Sequence, residues 1–201
     1  MPVNSNELDI FDRLSSFQPL SQYIIQPLDL IRTSSGGWII LPEMRSVGWY
    51  LTHDIRRISA EVPEICWSLI KGLAFLHQQR IAHRDIKPDN LVLDDQYCLR
   101  IIDFDVAVQL EDEDEEVEGV CGTESWIAPE VDKKGWMHSP IKADRWACGH
   151  VIQHLLNACA RKDDILSAIA ERLKVDDPQQ RPSLLNYHCW ELGEDLLPPT
   201  R

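Results

Sequence analysis

Asp85, Asn90 and Asp103 are the residues whose types and spacing suit chemistry. Asp85 and Asn90 stand in His83-Arg84-Asp85-Ile86-Lys87-Pro88-Asp89-Asn90, which runs into the apolar Leu91-Val92-Leu93. Asp103 stands in Ile101-Ile102-Asp103-Phe104-Asp105, 13 residues beyond Asn90. Two carboxylates and one amide are thus set at fixed offsets beside short apolar segments. A carboxylate can meet a hydroxyl proton, and oxygen ligands can hold a hard divalent cation. The set therefore suits a site that handles phosphate together with a divalent cation. Taken singly, Asp85 and Asn90 are also ordinary turn formers.

The elements around these residues must hold them in place. Ile65, Leu69, Leu73 and Leu76 recur at helical spacing, and Pro63 suits a first turn, so Val62 to Gln78 is predicted as a helix leading into the loop. Leu91 to Leu93 and Leu99 to Ile102 read as a hairpin around Asp94-Asp95-Gln96. Upstream, Leu8, Phe11 and Leu14 fit a short helix that Pro19 would end. Tyr23 to Ile31 and Trp38 to Leu41 read as two antiparallel strands about Ser34-Ser35-Gly36-Gly37, with Pro42 closing the second. One helix is expected over Leu51 to Ile58. Downstream, helices are expected over Ala143 to Ala160 and Asp164 to Val175. Ser183 is expected to cap a last helix reaching Trp190, with Pro198-Pro199 ending the fold.

Composition bounds the classes. The chain has 201 residues, 44% apolar and 26% charged, enough for one domain with a real core. No apolar run approaches the ~20 residues of a spanning helix. The acidic N-terminus lacks the basic and apolar regions of a secretory signal. The six cysteines show no zinc-type spacing, and their scatter points to reduced, mostly buried thiols and a cytoplasmic or nuclear setting. Net charge is −13, and seven carboxylates fall within Glu111 to Glu118. A broad basic face for nucleic acid is disfavoured. The acidic run is expected to be a mobile loop.

The pattern H-R-D-x-K-P-x-N followed by D-F resembles the catalytic loop and metal-binding segment of eukaryotic protein kinases, in the serine/threonine form. Ala128-Pro129-Glu130, preceded by Gly122-Thr123, resembles the end of the family's activation segment. Asp144-Arg145-Trp146-Ala147-Cys148-Gly149 resembles the D-x-W-x-x-G of its central helix, and Asp177-Pro178-Gln179-Gln180-Arg181-Pro182 its late D-P-x-x-R-P element. The resemblance covers roughly residues 22 to 191 and implies an α+β, kinase-like fold. It has a mainly α-helical C-lobe over 45–201, with the activation segment at 103–130. A reduced, two-stranded N-lobe remnant with the hinge lies at 22–44, after an extension over 1–21.

It also implies roles. Asp85 would be the base and Lys87 would neutralise the transferring phosphoryl group. Asn90 and Asp103 would hold Mg²⁺, and Glu43, Arg45 and Val92 would line the ATP site. His83 would pack beside Phe104, and the Asp144 carboxylate would accept catalytic-loop amides. Arg181 would pair with Glu130. Thr123 would belong to the segment, and Arg84 would meet negative charge there, which the acidic run is expected to supply in part.

The sequence also departs from the family. No G-x-G-x-x-G precedes the strand that resembles the hinge, Gly37 to Met44, and no lysine precedes Lys71. The phosphate cover and the pairing of a strand lysine with a helix glutamate are expected to be missing. Pro42 takes the gatekeeper place, Asp103-Phe104-Asp105 replaces D-F-G, and a substrate-docking helix between Gly149 and Asp164 is expected to be deleted. Apolar surface facing the missing strands should be covered by residues 1–21 or by a partner chain. Three functions stay open. One is an ATP- and Mg²⁺-dependent serine/threonine kinase acting on protein. Another is an inactive pseudokinase that binds a protein partner. The last is a small-molecule kinase, which Ile102-Asp103-Phe104-Asp105 echoes and the Ala128-Pro129-Glu130 element opposes.

Overall fold

The computed structural model describes residues 2–3, 5–17, 21–33, 36–132 and 135–188. In chain order the elements are β1 (Pro2–Val3), α1 (Ser5–Ser16), β2 (Asp29–Thr33), β3 (Gly36–Ile40), β4 (Arg45–Ser46), α2 (Val47–His53), α3 (Ile55–Ile58) and α4 (Val62–Gln78). There follow β5 (Ile81–Ala82), β6 (Leu91–Leu93), β7 (Leu99–Ile101), β8 (Val108–Gln109), β9 (Val117–Glu118), β10 (Met137–His138), α5 (Pro140–Ala158), α6 (Asp164–Leu173) and α7 (Leu185–His188). The result is an α+β fold with a helical body and small antiparallel sheets.

In the N-terminal unit, Leu8, Phe11 and Leu14 form the buried stripe of α1, which packs on β3. The predicted strand pair gains a third strand, giving the order β1-β3-β2. Its first predicted strand, Tyr23 to Ile31, is corrected: β2 begins only at Asp29. The reason is that the preceding residues spend their backbone elsewhere. Ile101 N–H donates to Tyr23 O at 2.8 Å, and Ile25 N–H donates to Ile101 O at 3.1 Å. That stretch ties the small sheet to β7. Ile31 and Trp38 pair across β2 and β3 and remain exposed, as do Leu28 and Ile40. On the body side, α1 supplies the expected cover, with Phe11 meeting Phe104 edge-on at 5.3 Å. Pro19 lies outside the described residues.

The single helix expected over Leu51 to Ile58 is also corrected. Ser46 Oγ accepts the Trp49 N–H at 3.1 Å and starts α2 four residues early. Asp54, at φ −152°, then breaks the helix before α3. In the body, α4 matches its predicted bounds and buries Ile65, Leu69, Leu73 and Leu76. It packs against α5, α7 and β7. Ser139 caps α5 and Asp163 caps α6, and both helices end two residues before the expected points. Asn186 N–H donates to the Ser183 carbonyl at 3.2 Å rather than to its hydroxyl, and the chain from Cys189 onward lies outside the described residues. Cys66 and Cys148 are buried, with thiols raised by burial, while Cys98 is exposed. Among the described residues no helix is long and apolar enough to cross a membrane.

No helix intervenes between α5 and α6, so α6 packs straight onto α5, as the short spacing after Gly149 implied. A Cβ at Gly149 would lie 2.8 Å from Ala170 O and 2.8 Å from Leu173 Cβ. The glycine of D-x-W-x-x-G is therefore the contact point of the two helices. Gly149→Ala must push α6 away, and a loss of about 1–3 kcal/mol is expected in denaturant unfolding. An unchanged midpoint would show that α6 moves freely.

Candidate active site

The loop that follows α4 is fixed from below by α5. Asp144 Oδ2 accepts the His83 N–H at 2.7 Å, and Oδ1 accepts the Arg84 N–H at 2.8 Å. His77 Nε2 on α4 reaches the same carboxylate at 3.2 Å. His83 is wholly buried and works as a strut. Its Nε2–H donates to Ile102 O at 2.9 Å, its Nδ1 accepts the Asp85 N–H at 3.3 Å, and its ring packs on Phe104 at 5.0 Å. Two side chains thus lock the loop to the helix below and to the Asp103 segment beside it. That support is what allows Arg84, at φ +69°, to stay left-handed, which costs a non-glycine residue ~1–3 kcal/mol.

Three side chains converge on Asp85. Lys87 Nζ donates to Oδ2 at 2.6 Å, Asn90 Nδ2 donates to the same oxygen at 3.0 Å, and Thr123 Oγ–H donates to Oδ1 at 2.9 Å. Lys87 also donates to Thr123 Oγ at 2.7 Å. Burial opposes ionisation of Asp85, but the hydrogen bonds from Lys87 and Thr123 outweigh it and hold the carboxyl below its ordinary value. Thr123 can reach in because Gly122 comes first. At φ +92°, with a Cβ position 2.6 Å from Arg84 O, no side chain fits there.

Asn90 spends its NH₂ group on Asp85 O and Oδ2, which leaves its amide oxygen as an acceptor. Ile102 N–H donates to Asn90 O at 3.0 Å, which brings Asp103 alongside. An amide oxygen and a carboxylate suit a hard cation such as Mg²⁺, which completes its shell with water and substrate phosphate oxygens. Among the described residues no cluster of three or more acidic, histidine or cysteine side chains offers a self-sufficient cage. Asp103 is left-handed at φ +70°. Val92 is buried opposite Ser46, and Arg45, opposite Leu93, lays its guanidinium 4.3 Å over the Trp49 ring. Glu43 is exposed in the connection before β4.

Two residues of α1 complete this side and were not singled out from sequence. Glu7 is buried, and its Oε1 accepts the Phe104 N–H at 3.1 Å. Asn6 Nδ2 donates to Asp105 O at 3.1 Å and Ala107 O at 3.0 Å. The available signal was position: Glu7 lies four residues before Phe11, on the apolar stripe of α1. Burial pushes the Glu7 carboxyl up, and the nearby Asp103 and Asp105 add to this against the Phe104 hydrogen bond.

Glu130 and Arg181 form the expected pair, bidentate at 2.5 and 2.9 Å. The expectation for Glu111 to Glu118 is corrected. The run is held against α5 by Asp114 to Lys142 at 2.7 Å and by Glu113 to Arg145. It does not serve Arg84, whose Nη1 donates to Val106 O at 3.3 Å and whose buried Nε finds no partner among the described residues. Lys142 and Arg145, two buried cations on α5, hold Asp114 and Glu113 instead.

A helical lobe thus gathers a carboxylate, a lysine, an amide and a second carboxylate around one loop. The sequence matches the protein kinase domain family over residues 4–191. It is 34% identical over 140 residues to the phosphorylase b kinase gamma catalytic chain, liver/testis isoform, of Bos taurus, covering 67% of this chain and 34% of that one. It is 41% identical over 105 residues to the serine/threonine-protein kinase grp of Drosophila melanogaster, covering 51% of this chain and 20% of that one. The matches thus span about a third or less of the relatives' own lengths. The chain belongs to the protein kinase family.

Asp85 and Glu7 should respond oppositely to pH. Asp85 is depressed, so its contribution is present above its ordinary value of 3.8 and is lost as pH falls through the folded value. Glu7 is raised, so stability falls as pH rises from 4.5 through its folded value. Glu7→Gln should therefore gain stability relative to wild type as pH rises above 4.5 in denaturant unfolding. Asp85→Asn should flatten the acid limb instead. Parallel profiles for the two variants would contradict this assignment.

Proposed function

We propose that this domain transfers the γ-phosphoryl group of ATP to a serine or threonine hydroxyl of a protein. The observation that carries this reading is the Asp85 cluster. A threonine hydroxyl already donates to Asp85 Oδ1, with Lys87 bridging both groups, so the geometry for receiving a hydroxyl is formed. In this reading Asp85, ionised at neutral pH, orients the attacking hydroxyl and takes its proton as the bond to the γ-phosphorus forms and the bond from that phosphorus to the bridging oxygen breaks, releasing ADP. Lys87 lies where it can offset charge on the transferring group. Asn90 and Asp103 hold Mg²⁺, which when bound neutralises phosphate charge. Glu43, Arg45 and Val92 border the nucleotide. Serine/threonine specificity is favoured by the H-R-D-x-K form and by the serine/threonine kinases among the relatives.

A second reading is a binding module without transfer. It is favoured by Glu7, whose carboxylate accepts the Phe104 N–H. Asp105 in the glycine place adds negative charge beside the cation ligands.

Thermal shift with Mg-ATP and phosphate transfer to a serine peptide separate the two. At ~100 times its Kd, nucleotide should add ~2.7 kcal/mol of stability. Asp103→Asn is expected to abolish the shift. Asp85→Asn is expected to retain it and to lower transfer by ~10²-fold or more. A wild type that shows neither shift nor transfer leaves only the binding module.

A further inference from the structure

The run Glu111 to Glu118 sits in the middle of the 103–130 segment, and its two paired carboxylates meet unusual partners. Lys142 and Arg145 are 5% and 3% exposed on the first turns of α5. A buried cation without a partner is costly, so each needs an anion. Asp114 Oδ1 accepts from Lys142 Nζ at 2.7 Å, and Glu113 pairs with Arg145. The backbone is fixed at the same place. Ser139 Oγ donates to Glu113 O at 3.3 Å, and β9 pairs with β10 directly before α5. The cations also reach the far end of the segment. Arg145 Nη1 donates to Arg181 O at 3.3 Å and Arg181 Nη1 donates to Lys142 O at 3.0 Å, while Arg181 holds Glu130. The middle and the end of the segment therefore share one charged network, while Asn6 and Glu7 hold its start and Thr123 holds it to Asp85.

We propose that Glu113 and Asp114, clasped by Lys142 and Arg145, are positioning residues that keep the activation segment in its substrate-receiving shape without a phosphate. The carboxylates are supplied by the sequence rather than added by modification. Arg84 takes no part in the clasp. Asp114, kept below its ordinary value mainly by the Lys142 hydrogen bond, stays charged under mildly acid conditions. The effect on activity rests on the kinase reading above, but the clasp itself can be tested without it.

The test is amide exchange over residues 111–131 in full-length protein. Glu113→Gln/Asp114→Asn should exchange about 10-fold faster there at low salt, and α4 should be unchanged. Glu111→Gln/Glu118→Gln removes the same charge at two exposed side chains of the run and should behave as wild type. About 1 M salt, where the Debye length is ~3 Å, should speed the wild-type segment and leave the clasp variant unmoved, a response that a purely steric role would not give. Phosphatase-treated wild type should keep its peptide transfer rate, and the clasp variant should show a raised KM for peptide with an intact Mg-ATP thermal shift. Unchanged exchange in the clasp variant, or equal exchange in both double variants, overturns the proposal. So does loss of wild-type transfer on phosphatase treatment. A wild type without transfer sinks the kinase reading, and the exchange result then decides the clasp alone.

Discussion

Asp144 is the point from which the rest of the site hangs. Its carboxylate, buried at the start of α5, takes the His83 and Arg84 amides and His77 from α4. A helix–helix interface is thereby converted into a fixed platform for the loop. Charge-assisted hydrogen bonds of this kind are about twice as strong as neutral ones, and strongest away from water. Because the loop is held, His83 can strut the Asp103 segment, and Arg84 and Asp103 can occupy left-handed backbone that neither would choose alone.

A second theme is how acidic groups are handled in a chain with net charge −13. Each important carboxylate has its own donor. Asp85 has Lys87, Thr123 and Asn90. Glu130 has Arg181, Glu113 has Arg145, and Asp114 has Lys142. Glu7 differs: burial beside Asp103 and Asp105 leaves its carboxyl raised, with a backbone amide as a hydrogen-bond donor. The cations Lys142, Arg145 and Arg181 all converge at the first turns of α5, beneath the segment that runs from Asp103 to Glu130. That convergence makes the base of α5 the anchor of both the His83 to Asn90 loop and the stretch from Asp103 to Glu130.

The N-terminal unit is small but not detached. α1 inserts Phe11 against Phe104 and directs Asn6 and Glu7 at the backbone from Phe104 to Ala107. Tyr23 and Ile25 then pair with Ile101, so the sheet and the body share a strand edge. The apolar Ile31 and Trp38 stay on the sheet's outer face, away from α1.

Much of this was legible in the sequence because it depends on local period or on residues at fixed offsets. The helix over Val62 to Gln78, the Leu91 to Ile101 hairpin and the Asp85 and Asn90 loop follow from apolar spacing and turn chemistry. The Glu130–Arg181 pair followed from two recognisable elements. The errors share another cause. Tyr23 to Ile25 has strand composition, but its backbone partner lies far along the chain at Ile101. The acidic run reads as repelling because its partners, Lys142 and Arg145, are buried on a helix well downstream in sequence. Glu7 reads as an ordinary helix-surface acid until α1 is laid against Phe104. The sequence by itself determined most of the elements, the family and the residues that stand together in the Asp85 loop, since propensity and spacing act within the chain. Only the tertiary structure decided which charge meets which, because burial and pairing are properties of surfaces brought together from far apart.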